Sequence, residues 1–222
     1  MAIGTPVLLG GAGAGGTTTA TTVSATPEAN SILLAFGSGW RNTQLPVDPA
    51  ITDSVGLTWR LVGPVISHNP GAGRRAKSGL WWAAAGASPV AMTVTATVSD
   101  GVETTICVVT VTGISTSDFT NFNSATSTTG DPSFALSDPS TASAIFGFSA
   151  MEGGNAVTQP TGYTELLDAT IVANSANRRH SIVYDLSSPG TTLTWSSSNL
   201  NTIAIGVELK EPIPRNFGMV IG

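Results

Sequence analysis

Apolar and polar positions alternate with a period of two along much of the chain, and this pattern predicts β-strands. In Met92–Val98 apolar residues alternate with threonines, so one face would pack on a core and the other would meet solvent. The segment 203–209 alternates in the same way, whereas Ile32–Phe36 and Ile106–Val111 are continuously apolar, as is typical of central strands. Gly, Pro, Asn and Asp separate these segments, so we predict an all-β fold.

Five segments of the first half of the chain resemble segments of the second half, in the same order. The pairs are 31–38 with 143–149, 56–62 with 162–168, 74–75 with 178–179, 88–89 with 188–189, and 105–111 with 202–208. Because the spacing between partners shrinks steadily, the second copy has shorter loops. We predict a jelly-roll-like antiparallel β-sandwich built from an internal duplication, with halves at about 17–113 and 126–210 inside a body of 17–210. Two tandem small sandwiches are the alternative.

The connecting segment and the two ends differ from the repeat halves. Phe119, Phe122 and Phe134 lie in or just after the connection and favour a packed segment over a free linker. The glycine-rich residues 1–16 predict a flexible or extended arm, and residues 211–222 predict a proline-stiffened tail. We expect apolar residues of both arms to anchor the chain to neighbouring subunits; they are Val7, Leu8, Leu9, Phe217, Val220 and Ile221.

Charge is scarce along the whole chain. Charged residues make up 10% of the sequence, against about 25% in an ordinary domain, and the polar surface is supplied mainly by Thr, Ser, Asn and Gly. The net charge of −5 argues against a nucleic-acid partner, which needs a basic stripe. No apolar run reaches the ~20 residues of a membrane helix, so we expect no membrane insertion. The N-terminus lacks the pattern of a signal peptide.

The residues that could carry chemistry do not form a known catalytic or metal-binding motif. His68 and His180 lie in predicted loops without further ligands at metal-binding spacing, and no Gly-x-Ser-x-Gly occurs. The single cysteine, Cys107, lies in an apolar run and is predicted to be a buried thiol. We therefore predict no enzyme, no metal and no cofactor, with a calcium ion in an aspartate-containing loop left open.

Five tryptophans suggest where a partner could bind. Trp59 and Trp195 are predicted to lie in the core. The adjacent Trp81 and Trp82 should point to opposite faces of one strand, so one of them faces outward. An outward aromatic ring favours burial against a neighbouring subunit, and stacking on a sugar ring is the alternative. The candidate interface or glycan-binding residues are Trp40, Trp81, Trp82, Arg74 and Arg75.

Two motifs carry a resemblance to a known family. The segment Ile51–Trp59 reads Ile-Thr-Asp-Ser-Val-Gly-Leu-Thr-Trp, and Gly79–Gly86 reads Gly-Leu-Trp-Trp-Ala-Ala-Ala-Gly. With the flanking apolar strands, they resemble a widespread β-sandwich family of bacteriophage structural modules and bacterial surface proteins. The resemblance covers roughly residues 17–209, with Trp82 where the family usually has Tyr. It implies a scaffold and brings no catalytic residues.

The hypothesis that follows is a non-enzymatic component of a phage virion, such as a head decoration, a head spike or fibre, or a tail protein. Such a chain would be made in the host cytoplasm and located in the virion. Its expected partners are further copies of itself, with a trimer preferred, and other virion proteins, and it could aid host adhesion through a cell-surface glycan. The alternative is a carbohydrate-binding module of a bacterial or phage surface protein.

Overall fold

The computed structural model describes residues 2–71, 74–100, 103–115, 119, 121–140, 143–172, 177–187 and 190–212. All regular secondary structure within these residues is β, which confirms the predicted fold class. The strands are β1 (Val7–Gly15), β2 (Thr19–Thr21), β3 (Ile32–Arg41), β4 (Ala50–Asp53), β5 (Arg60–His68), β6 (Arg75–Ala84), β7 (Val94–Thr97), β8 (Glu103–Val111), β9 (Phe122–Ser127), β10 (Ser133–Ala135), β11 (Ser143–Glu152), β12 (Thr164–Val172), β13 (Arg178–Asp185), β14 (Thr192–Thr194) and β15 (Leu200–Lys210).

The two halves of the chain have large sheets with the same strand order. The first half forms an antiparallel sheet in the order β1-β8-β3-β6-β5, and the second forms one in the order β9-β15-β11-β13-β12. Each strand of the first sheet therefore has a counterpart at the same place in the second sheet and at the same place along the chain. A jelly-roll classification and a common ancestry of the halves go beyond strand order and stay predictions.

Four layers of sheet enclose three layers of apolar side chains. The two five-stranded sheets face each other across a central core, which includes Leu34 and Phe36 from β3 together with Phe146 and Phe148 from β11. The opposite face of the first large sheet is covered by the smaller sheet β2-β7-β4. The opposite face of the second is covered by β10-β14. Alternate residues of one strand thus enter different cores, because successive side chains point to opposite faces.

Strand β15 is buried on both faces, so the prediction that segment 203–209 has a solvent face is wrong. Ala204 packs in the outer core beneath β10-β14. At Gly206 a Cβ would lie 2.5 Å from the Phe134 ring, so the missing side chain makes room for that ring. In β7, by contrast, buried apolar residues alternate with half-buried threonines, as the pattern of Met92–Val98 predicts.

Residues 7–15 form strand β1, which pairs with β8 through a register shift between Leu8 and Gly10, so of the predicted flexible or extended arm these residues are extended. Leu8 packs on the central core and Leu9 on an outer core of the same chain, while Val7 is 49% exposed. The glycines allow β1 to approach β12 closely, since a Cβ at Gly13 would lie 2.8 Å from Ile171 Cγ2. Close approach rather than flexibility explains the glycine run.

The connection between the halves is packed, as its aromatic residues predict. Phe119 stacks on Trp82 with ring centroids 4.9 Å apart, Phe122 borders the central core and Phe134 is buried in an outer core. The remaining predicted anchors, Phe217, Val220 and Ile221, lie outside the described residues.

Candidate functional site

Two arginines and two glutamates meet where β6, β8, β11 and β13 come together at one end of the central core. Arg74 contacts Glu103, and its Nε lies 3.4 Å from Glu152 Oε1. Arg178 contacts Glu103, and its guanidinium carbon lies 4.5 Å from the centroid of the Trp40 ring. Because Arg74 and Glu103 belong to the first half and the other two to the second, the network joins the halves.

The network carries two positive and two negative charges. Burial lowers the pKa of Arg178 to about 10, against the opposing effect of Glu103, so the guanidinium stays charged at neutral pH. A buried ion pair contributes little net stability but is costly to break, since either partner alone would be an uncompensated buried charge. The network therefore favours one alignment of the halves over others.

A β-bulge lies beside this network. Between β11 and β15 the register shifts after Met151, so that Glu152 pairs with Leu200 and Asn201 is the extra residue. Asn201 has a φ of 42°, in the left-handed region. A bulge changes the direction of the side chain at such a position. Its Nδ2 donates to Glu152 Oε2 at 2.6 Å, and its Oδ1 lies 3.1 Å from Nε2 of the buried His68.

An open pocket of about 360 Å³ lies over the network and the bulge; we call it the junction pocket. It is lined by Arg74, Glu152, Gly153, Asn155, Asn177, Ser198, Asn199 and Leu200. The buried Asn199 forms its base: its Oδ1 accepts the Asn155 N–H at 3.0 Å and its Nδ2 donates to the Asn155 carbonyl at 2.8 Å. Gly153 has a φ of 134°, and a Cβ there would collide with Asn199.

His180 and Cys107 form a separate polar cluster inside the central core. The His180 ring has its Nε2 2.8 Å from Thr105 Oγ1 and its Nδ1 3.2 Å from Cys107 Sγ. Burial lowers the pKa of His180 to about 3 and raises the pKa of the Cys107 thiol, so both are neutral at pH 7. The structure confirms that the Cys107 thiol is buried. Both histidines lie in strands, so their placement in loops was wrong.

The three candidate tryptophans lie in different environments. Trp40 is fully buried beneath Arg178, so it offers no outward face, and Trp81 is buried in an outer core, as predicted for one of Trp81 and Trp82. Trp81 and Trp82 do point to opposite faces of β6, as predicted. Trp82 is half-buried, borders the central core and lies 5.5 Å from the Arg60 guanidinium carbon. It lines an open depression of about 420 Å³ with Thr58, Arg60 and Ala84.

The motif Ile51–Trp59 forms a turn around one carboxylate. Asp53 Oδ1 accepts the N–H groups of Val55 at 2.7 Å and Gly56 at 2.6 Å, and Oδ2 accepts the Trp59 indole N–H at 2.7 Å. The spacing of the motif is thus explained by loop geometry, as is usual for aspartate in turns. Asp53 organises the entry into β5.

Three basic residues lie close together in the sequence, Arg74, Arg75 and Lys77, and they have separate roles. Arg74 belongs to the network, whereas Arg75 donates to Asn69 Oδ1 at 2.6 Å and to the Gly71 carbonyl at 3.2 Å and so holds the turn before β6. Lys77 pairs with Asp48 at 2.6 Å. Of Arg74 and Arg75, only Arg74 lines the junction pocket.

Sequence reasoning missed Glu152 and Asn199, which line the junction pocket, and Glu103 and Asn201, which belong to the charged network and the bulge beside it. A usable signal was present: in a chain with so few charges, Glu103 begins the strand that contains the apolar segment Ile106–Val109, and the two Arg pairs stand at the start of equivalent strands. Buried charges need partners, so these positions should have been expected to meet.

Among the described residues, no three or more His, Cys, Asp or Glu side chains lie together as a metal site would require. The described part of the chain also contains no helix with the length and apolarity to cross a membrane. Comparison of the sequence with protein-family models and with curated proteins found no match. The resemblance to bacteriophage modules therefore rests on the motifs alone.

Proposed function

We propose that this chain is a non-enzymatic structural component of a phage virion, a capsid decoration, head spike or fibre, or tail protein. The observation that carries the proposal is that the charged network connects the two halves of the chain. Glu103 and Arg178, which are buried, and Arg74 and Glu152 connect the two large sheets and favour one alignment of them. Charged groups that an enzyme would place in an accessible cleft are here paired with one another between the sheets, as suits a structural or projecting part.

The outer faces of the small sheets support self-association. They carry rows of hydroxyl groups: Thr21 and Thr95 lie 2.9 Å apart through their Oγ1 atoms, and Ser133 and Thr194 lie 2.6 Å apart through their hydroxyl oxygens. A surface with few charges resists association poorly, and identical subunits usually assemble with closed symmetry. We propose a homo-oligomer, with a trimer preferred over a dimer.

Two measurements test this role. Light scattering on the purified chain should give the mass of a small closed oligomer, and antibodies against the chain should label particles released by lysis of the source cells in electron micrographs. A monomer at all concentrations together with unlabelled particles would overturn the proposal.

A carbohydrate-binding module is the second candidate, favoured by the depression around Trp82. The indole of Trp82 is partly exposed, with Phe119 stacked on it and Arg60 over its ring, and beside it Thr58 and Arg60 supply hydrogen-bond donors of the kind that sugar hydroxyls require. If the depression is the binding site, the natural chain binds soluble saccharides and Trp82→Ala loses that binding. If Trp82→Ala binds as the natural chain does, the depression is not the site.

A further inference from the structure

We propose that the junction pocket is a binding site for a neutral carbohydrate of one or two sugar rings. The proposal deepens the carbohydrate-binding candidate by placing the ligand between the halves rather than at Trp82. Both halves are needed for the site, since Arg74 comes from the first and Glu152, Asn155, Asn177 and Ser198 from the second.

The charges at the pocket determine the class of ligand. Arg74 is engaged by Glu103 and Glu152, and Glu152 is further engaged by Asn201. With Arg178 the network has two charges of each sign, so among the described residues of the pocket neither an anion nor a cation finds an unpaired opposite charge. A ligand that is neutral and forms many hydrogen bonds fits such a lining best.

The rim of the pocket offers the groups that sugar hydroxyls use. The amides of Asn155 and Asn177 and the hydroxyl of Ser198 can each donate and accept a hydrogen bond, and Asn155 Nδ2 is held 2.9 Å from Ser198 Oγ. Beside them Leu200 is 54% exposed, which gives an apolar patch for the C–H face of a pyranose ring. This mixture of amides, a hydroxyl and an apolar patch matches a hydroxyl-rich ring better than a purely apolar ligand.

The backbone under the pocket is locked in uncommon conformations. Asn201 has a left-handed φ, and Gly153 leaves no room for a Cβ against Asn199. Such conformations persist only where the surroundings determine them, and they concentrate at binding sites. The bulge also turns Leu200 toward solvent. The site is therefore formed before a ligand arrives, which lowers the ordering cost of binding.

The size and openness of the pocket set the expected affinity. Its volume of about 360 Å³ is near the lower end of small-molecule sites, and it is open to solvent, so much of a bound ring stays hydrated. We expect a Kd of about 1 mM for a monosaccharide or disaccharide.

Saturation-transfer NMR on the full chain tests the proposal, with glucose, galactose, N-acetylglucosamine, maltose, lactose and chitobiose as probes. At about 10 mM, roughly ten times the expected Kd, at least one saccharide should receive saturation from the natural chain. Asn155→Ala with Leu200→Ser should weaken that signal by about fivefold or more, because the variant loses a hydrogen-bonding amide and the apolar patch. Thr192→Ala, on an exposed position of β14, and Trp82→Ala should leave the signal unchanged.

Circular dichroism on every variant separates lost binding from lost folding, and the single variants Asn155→Ala and Leu200→Ser serve if the double variant unfolds. No transfer to any of the six saccharides would overturn the proposal. Transfer that survives both junction-pocket substitutions but disappears in Trp82→Ala would also overturn it, while leaving a carbohydrate-binding function at Trp82 intact. Particle labelling is independent of either result.

Discussion

The two halves share the order of their large sheets but use equivalent positions differently. In the repeat alignment Arg74 corresponds to Arg178, yet the Arg74 side chain is 21% exposed and that of Arg178 is fully buried. The next equivalent pair is Ala76 and His180, both buried in the strands that face the central core. One half supplies a small residue where the other supplies a ring with two polar atoms.

This difference shows what each kind of interaction decides. Apolar burial places both sheets around the central core, and the two sheets have the same strand order. Polar groups then distinguish the faces: His180 finds Thr105 and Cys107, and Arg178 finds Glu103 and Trp40. We interpret the polar contacts as the source of specific alignment rather than of net stability.

The largest expected effect separates the two equivalent arginines. Arg178→Met should lower the free energy of unfolding by about 3 kcal/mol, because the buried Glu103 loses its fully buried partner and keeps only the partly exposed Arg74. Arg74→Met should cost only about 1 kcal/mol, since water screens its partly exposed pairs. Urea denaturation of both variants measures the contrast, and equal losses would contradict the asymmetry.

The two edges of the large sheets provide the next test. Gly13→Val should cost about 2–3 kcal/mol by overpacking, because the added side chain would meet Val172 and the Ile171 carbonyl oxygen, the latter 2.9 Å from its Cβ. Gly190→Ala is the matched control, with its Cβ 3.7 Å from the Tyr163 ring, and should change stability by less than about 0.5 kcal/mol. If Gly13→Val leaves the free energy of unfolding unchanged, β1 and β12 can move apart to accommodate the side chain.

The Ala76 and His180 pair predicts a pH dependence. The folded pKa of His180, about 3, is below its unfolded value of about 6.5. The unfolded chain therefore binds the proton first, and stability is lost as the pH falls below about 6.5. Between pH 6.5 and 5 the natural chain should lose about 1.5–2 kcal/mol more than His180→Ala, at up to roughly 1.4 kcal/mol per pH unit. Urea denaturation across this pH range measures the difference. If the free energy of unfolding falls equally with pH in both proteins, His180 does not contribute to the pH dependence of stability.

The smallest effect concerns the turns that enter equivalent strands β5 and β12. Asp53→Ala should cost about 1–2 kcal/mol because several N–H groups and the Trp59 indole lose their acceptor. In the second half Tyr163 donates one hydrogen bond to the Gly190 carbonyl at 2.6 Å, so Tyr163→Phe should cost about 0.5–1 kcal/mol. Thermal melts rank the two, and Thr52→Ala, on an exposed residue, is the control. A reversed ranking would remove the special role of Asp53.

Strand existence could be predicted from the sequence, since period-two alternation and apolar runs reflect local geometry. Solvent exposure could not, because segment 203–209 has the alternation of a half-exposed strand. The small residues Ala204 and Gly206 hold the missing information: they fit beneath Phe134 and its neighbours. The same reasoning applies to Gly13. It is a glycine because the backbone there lies close to Ile171, and that contact cannot be predicted from the local sequence because Ile171 is distant in the chain.

The candidate site was less accessible to sequence reasoning. Arg74 was identified, but its partners Glu103 and Glu152 come from strands whose register cannot be read from local pattern. The bulge at Asn201 has no sequence signature, although it places His68 and Leu200. Trp40 was expected at a surface but is buried. Its burial depends on Arg178, which comes from the other half of the chain, so the local sequence around Trp40 could not show it.

Calorimetric unfolding of the full chain tests most directly whether the two halves form one body around a shared core. Because residues of both large sheets make up the central core, the account predicts a single transition, with equal calorimetric and van't Hoff enthalpies. Arg178→Met should move that single transition to lower temperature without splitting it. Two separate transitions in the natural chain, or a shift of only one of them in Arg178→Met, would contradict the account.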